Sequence, residues 1–107
     1  MSSIRSMNEF YKRLDASDHK LIVLDFYATW CGPCKDMDSV VKSLAHKYGS
    51  RVDIIKIDVD RFDDLMEMYN VRSMPTFVFI KNNRKMSRII GADEHKLKQT
   101  VYKLCAL

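Results

Sequence analysis

Eight consecutive residues, Leu21-Ile22-Val23-Leu24-Asp25-Phe26-Tyr27-Ala28, constrain the fold of this chain more than any other segment. Apart from Asp25 the run is apolar at successive positions. A strand with one wet face alternates apolar and polar residues, whereas a strand covered on both faces reads as a continuous apolar run. Such a strand needs helices above and below its sheet, which points to a layered α/β fold.

The rest of the chain supplies those layers. Ser6-Met7-Asn8-Glu9 has the spacing of a capping box and predicts a helix through about Ser17, with Phe10, Tyr11 and Leu14 as its apolar stripe. Gly32 to Tyr48 carries Met37, Val40, Val41, Leu44 and Tyr48 at helical spacing and stops at Gly49. Arg51 to Val59 reads as a strand, and Asp60 is the expected cap of a third helix bearing Phe62, Leu65, Met66 and Tyr69. Thr76 to Lys81 and Arg84 to Gly91 are strands around an Asn82-Asn83 turn, since Asn tolerates positive φ. Asp93 caps a last helix with Leu97, Val101 and Leu104 inward. With Ile4-Arg5 as a short first strand the order is βαβαβαββα, a mixed sheet with helices on both faces. With 107 residues and no Pro/Gly/Ser-rich linker, 1–107 is expected to be one domain.

Composition narrows the class. At 47% hydrophobic and 30% charged, the chain is expected to be globular, and no segment approaches the roughly 20 apolar residues of a membrane span. The N-terminus lacks the apolar core of a signal peptide, so a reducing intracellular compartment is expected. Three cysteines do not make a secreted disulfide framework; a close pair inside a cell is catalytic or metal-binding.

That pair lies in Trp30-Cys31-Gly32-Pro33-Cys34, where the buried strand hands over to a helix. Free N–H groups and the helix dipole favour an anion at the first cysteine, so Cys31 is expected to be an exposed nucleophilic thiolate. Cys34, one turn on, resolves the mixed disulfide that Cys31 forms. The competing reading is half of a zinc site, but the remaining candidates, Cys105, His19, His46 and His95, have no ligand spacing. Cys105, on the last helix, reads as an inert half-buried thiol.

Asp25 is expected to lie beneath that helix start. Burial raises a carboxyl pKa, and a carboxyl tuned in this way accepts the Cys34 proton; the alternative is a purely structural carboxylate. Lys56, on the neighbouring strand, either modulates Asp25 or faces solvent. In Ser73-Met74-Pro75-Thr76 a proline introduces a strand; a cis bond there would set the Met74 backbone beside Cys31, ready to pair with an extended peptide. These residues leave the isomer open.

The motif Trp30-Cys31-Gly32-Pro33-Cys34, with Asp25, Lys56, Met74-Pro75-Thr76-Phe77 and Gly91-Ala92, resembles the thioredoxin family over essentially the whole chain. Within it, Leu21–Lys35, Val71–Phe79 and Gly91–Leu97 are most similar to an insect germline member. The resemblance implies the thioredoxin fold, a cis Pro75, Cys31 as nucleophile, Cys34 as resolving thiol and Asp25 as proton acceptor. It further implies a reversible Cys31–Cys34 disulfide with no bound cofactor, protein disulfides as substrates, and re-reduction by an NADPH-dependent thioredoxin reductase. Trp30, Gly32, Pro33, Met74, Pro75, Thr76 and Gly91 are then the supporting and substrate-binding residues, and Asp58 and Asp60 match acidic positions near the site. Ser39 stands where the family commonly has a helix proline, and Asn83 where it has a turn glycine. A monomer is expected, cytoplasmic and, at 12.5 kDa, small enough to enter the nucleus. Rival readings are a glutaredoxin or isomerase domain and a thioredoxin-fold scaffold with incidental redox activity.

Charge adds one expectation the motif does not carry. From Lys81 onward there are seven basic and two acidic residues, a net +5, leaving −1 on the rest of the chain. Lys81, Arg84, Lys85, Arg88, Lys96 and Lys98 are candidates for weak, sequence-independent binding of a polyanion such as nucleic acid, which would hold the thiols near DNA-packaging proteins. The bland alternative is a solvated face that serves solubility.

Overall fold

The structure, a computed structural model, describes residues 2–107. Its elements are β1 (Ser2–Ser3), α1 (Met7–Asp15), β2 (Leu21–Tyr27), α2 (Gly32–Tyr48), β3 (Val52–Asp58), α3 (Asp63–Met68), β4 (Thr76–Lys81), β5 (Arg84–Ile90) and α4 (Glu94–Cys105). One five-stranded sheet has the order β1-β3-β2-β4-β5. β1, β3 and β2 run parallel; β4 is antiparallel to β2, and β5 to β4. β2 therefore lies at the centre, as its apolar run, interrupted only by Asp25, requires.

Alternation along β2 divides the core in two. Ile22, Leu24 and Phe26 pack with Phe10, Ile55, Ile57 and Leu65 on the side of α1 and α3. Leu21 and Val23 pack with Val41, Leu44, Phe77, Leu97 and Val101 on the side of α2 and α4. Asp25 continues the Leu21–Val23 series and so falls beneath α2. Its register partners are Lys56 on β3 and Phe77 on β4.

Several boundaries differ from the sequence reading. The first strand lies at Ser2–Ser3; Ile4 still donates its N–H to the Lys56 carbonyl at 3.1 Å before the chain turns into α1. Ser6 caps α1 by accepting from the Glu9 N–H, while the Glu9 carboxylate takes the N–H of Arg5 rather than that of Ser6. α1 ends at Asp15, two residues early, and Tyr11 points outward. Asp60 does not cap α3, which starts at Asp63 behind Phe62 without a side-chain cap, because the Asp60 carboxylate is engaged elsewhere. The β4–β5 turn has Asn82 at φ 52° and Asn83 at φ 63°, two left-handed residues as a tight primed turn needs.

Candidate active site

Cys31 is the N-cap of α2 and Pro33 lies in its first turn, where a missing N–H costs nothing. Cys31 Sγ accepts the N–H of Cys34 at 3.2 Å, the geometry that favours a thiolate when the pair is reduced. Here the two sulfurs are joined in a disulfide, with Cα atoms 5.3 Å apart. Both cysteines are largely covered, Cys31 at 5% and Cys34 at 6% exposure. The expectation of an exposed Cys31 is therefore corrected for this oxidised form: position at the helix start, not accessibility, distinguishes the two sulfurs.

Around the pair stand groups from four other segments. Trp30 is 67% exposed, and its indole N–H donates to Asp60 Oδ2 at 2.8 Å, which fixes the ring at the rim of the site. Asp58 in turn accepts the Asp60 N–H. The Met74–Pro75 peptide is cis, and the Met74 carbonyl oxygen lies 3.7 Å from Cys31 Sγ. The Thr76 hydroxyl donates to the Ser73 carbonyl at 2.7 Å and the Gly91 N–H to the Pro75 carbonyl at 2.8 Å, so the proline loop is pinned from both sides. Gly91 has φ 101°, a conformation that a Cβ would strain.

Asp25 is 3% exposed, and its carboxyl is pushed up to about 7 from a usual value near 3.8. Burial is the main cause; the Lys56 ammonium pulls it down and the Asp38 carboxylate pushes it up. Lys56 does not face open solvent: its Nζ lies 3.1 Å from Asp38 Oδ1 and 4.5 Å from the centre of the Tyr27 ring. A pocket of about 210 Å³ joins Cys34, Asp38 and Lys56. Asp38 is a site residue that the motif does not mark. Its signal in the sequence is the four-residue step from Cys34, which puts both on one face of α2.

The basic residues near the C-terminus are not one free surface. Lys81 is buried, and its ammonium bonds the carbonyls of Leu104 and Leu107 at 2.8 and 2.9 Å, so it is withdrawn from the candidate face. Arg88 donates to the Tyr69 and Asn70 carbonyls beyond α3 and is likewise occupied. Lys98 pairs with Glu94, and the Lys85 ammonium sits over the Tyr69 ring at 5.2 Å. Arg84 and Lys96 point outward. Cys105 is half-buried and its thiol is pushed up by burial, as an unreactive cysteine would be.

Two cysteines that close a ring across one helical turn, at the carboxyl end of a central strand, form a two-electron couple, and the class they define is the thiol–disulfide oxidoreductases. The family model for Thioredoxin matches residues 2–103, and the chain belongs to the thioredoxin family. It is 62% identical over 104 residues to Thioredoxin-1 of Drosophila melanogaster, covering 97% of each chain. It is 41% identical to human thioredoxin over 104 residues, covering 97% of this chain and 98% of that one. Among solved structures it is similar to the germline-specific thioredoxin protein Deadhead (Thioredoxin-1) from Drosophila melanogaster, with a TM-score of 0.94, 62% identity, and 97% and 99% of the two chains covered. The chain is a protein-disulfide reductase whose redox centre is its own Cys31–Cys34 pair, with no further cofactor needed. Family membership implies disulfide-containing protein substrates and a thioredoxin reductase as electron donor.

Proposed function

We propose that Cys31 is the attacking thiolate, Cys34 the resolving thiol and Asp25 the acceptor of its proton. The observation that carries this reading is the N–H of Cys34 directed at Cys31 Sγ on the first turn of α2. Cys31 thiolate attacks one sulfur of the substrate disulfide, forms a mixed disulfide and releases the first substrate thiolate. Cys34 passes its proton to Asp25 and attacks Cys31 Sγ, which releases the second substrate thiolate. Two electrons leave the dithiol and reduce one substrate disulfide. Met74 offers its backbone to an extended substrate segment, Trp30, Gly32, Pro33, Pro75, Thr76 and Gly91 shape the contact surface, and Lys56 modulates Asp25.

Reduced protein treated with limiting iodoacetamide at neutral pH tests the roles. Cys31 should be modified at least about tenfold faster than Cys34 or Cys105, as a thiolate stabilised at a helix start would be. Faster labelling of Cys34 would reverse the two roles. Cys34→Ser should trap substrates as stable mixed disulfides, and a biological role that survives Cys31→Ser would favour the scaffold reading.

Residues 1–107 act as one domain and one monomer in this proposal, cytoplasmic and with access to the nucleus. The +5 charge of the C-terminal segment supports a second, weaker activity, electrostatic association with nucleic acid that brings the thiols near DNA-packaging proteins. Arg84, Lys85 and Lys96 are its best-placed residues, since Lys81 and Arg88 are held by backbone carbonyls and Lys98 by Glu94.

A further inference from the structure

Lys56 and Asp25 are register partners on adjacent strands and share the face beneath α2. A lysine in that place would ordinarily aim its charge at the buried carboxylate. Its ammonium instead lies 3.1 Å from Asp38 and over the Tyr27 ring, with its side chain 14% exposed while that of Asp38 is 50% exposed. Asp38 thus stands at the solvent side of the pocket and draws the cation toward itself. Cys34 lies on the same wall of α2, one turn before Asp38.

We propose that Asp38 is a positioning residue: through its ion pair it holds the Lys56 ammonium at the mouth of the pocket beside Cys34, and so sets the protonation of Asp25. This rests on the reading of Asp25 as the acceptor of the Cys34 proton. The charged and titratable groups that line this pocket are Lys56 from β3, Cys34, Lys35 and Asp38 from α2, and Tyr27 from β2 itself. β4 contributes the apolar Phe77 opposite Asp25, and the buried residues of α4 are Leu97 and Val101. Lys56 and Asp38 are accordingly the two groups whose charge acts on Asp25, in opposite senses.

Neutralising Asp38 removes a negative charge and releases a positive one toward Asp25. Both changes favour the carboxylate, so Asp25 should ionise at lower pH.

The test is the titration of the Asp25 carboxyl carbon by NMR in the oxidised protein, for the wild type, Asp38→Asn, Lys56→Met and the double variant. Asp38→Asn should lower the midpoint by roughly one pH unit, about tenfold in proton affinity. In the Lys56→Met background the same change should move it by less than half as much, because its effect runs through the lysine. Equal displacements in the two backgrounds, or none in either, would overturn the assignment. Asp38→Glu, which keeps the charge, should leave the midpoint near that of the wild type; a displacement as large as that of Asp38→Asn would also overturn it. The pH profile of mixed-disulfide resolution is read in parallel. An Asp25 midpoint that moves while this profile stays put would retire the acceptor reading and leave the hold of Asp38 on Asp25 intact.

Discussion

One residue of the central strand carries an energetic conflict that the rest of the molecule tolerates. Asp25 occupies a core position among Val23, Phe77 and the start of α2, where an apolar side chain would pack at no electrostatic cost. Its folded carboxyl titrates near 7, against about 3.8 in the unfolded chain. Folding therefore binds a proton between those values, and the associated stability is complete below about pH 4 and lost as pH rises through 7. Asp25→Asn should abolish this dependence and leave the oxidised variant more stable than the wild type at pH 8. The gain should be on the order of 4 kcal/mol, from about 1.36 kcal/mol for each pH unit that separates the folded and unfolded midpoints. Denaturant melts of both proteins at pH 4 and pH 8 check this, with the difference between them isolating Asp25 from other carboxylates such as Asp53, which is paired with Arg13. A gap that does not widen with pH would mean that Asp25 ionises freely in the folded state. The same substitution should slow resolution by Cys34 without slowing the first attack by Cys31.

At the scale of elements, charged side chains close helix ends that the sequence leaves uncapped. α4 ends without a glycine, and Lys81, the last residue of β4, sends its ammonium to the Leu104 and Leu107 carbonyls. The cation sits at the negative end of the helix dipole and satisfies orphan acceptors. Lys81→Met keeps the buried stem and removes the charge, so it should destabilise the protein by about 1.5–3 kcal/mol, the worth of hydrogen bonds to a charged group. Fraying should appear first in α4, seen as faster amide exchange over its last turn; unchanged exchange there would refute the capping role. Arg88 does the corresponding work past α3, where it ties β5 to the segment that leads to Met74. β5 itself is an edge strand with Arg84, Lys85 and Ser87 outward, polar residues that discourage edge-to-edge pairing.

For the whole molecule, the charge is unevenly divided along the chain: the thiols and Trp30 belong to its near-neutral part and the excess of cations to the final hairpin and helix, where Arg84, Lys85 and Lys96 remain exposed. Counterion release predicts DNA affinity that falls steeply between about 50 and 200 mM salt, with a slope set by the few free cations. The variant with Arg84, Lys85 and Lys96 changed to Glu should lose that binding while its disulfide reductase activity persists, because none of the three touches the site. Binding undetectable at low salt, or intact in the variant, would assign this face to solubility alone.

The covalent chemistry and the layer plan are legible in the chain itself. A continuous apolar strand demands two covering layers, and two cysteines at i and i+3 after it meet across one helical turn; both follow from local periodicity. The Asn82-Asn83 turn and the Asp93 cap are local in the same sense. What the sequence does not disclose depends on distant partners. Asp60 reads as a helix cap and is taken by Trp30, thirty residues away; Lys81 and Arg88 read as surface cations and are spent on carbonyls 18 to 26 residues distant. In the sequence Lys56 reads either as a modulator of Asp25 or as a solvent-facing lysine, and its ion pair with Asp38 is visible only in the folded chain. Local spacing decides which residues share a face of one element, but only the packing of elements decides which charges meet. The reactive pair is therefore readable from the chain alone, and the electrostatic setting of Asp25 beneath it comes from the tertiary structure.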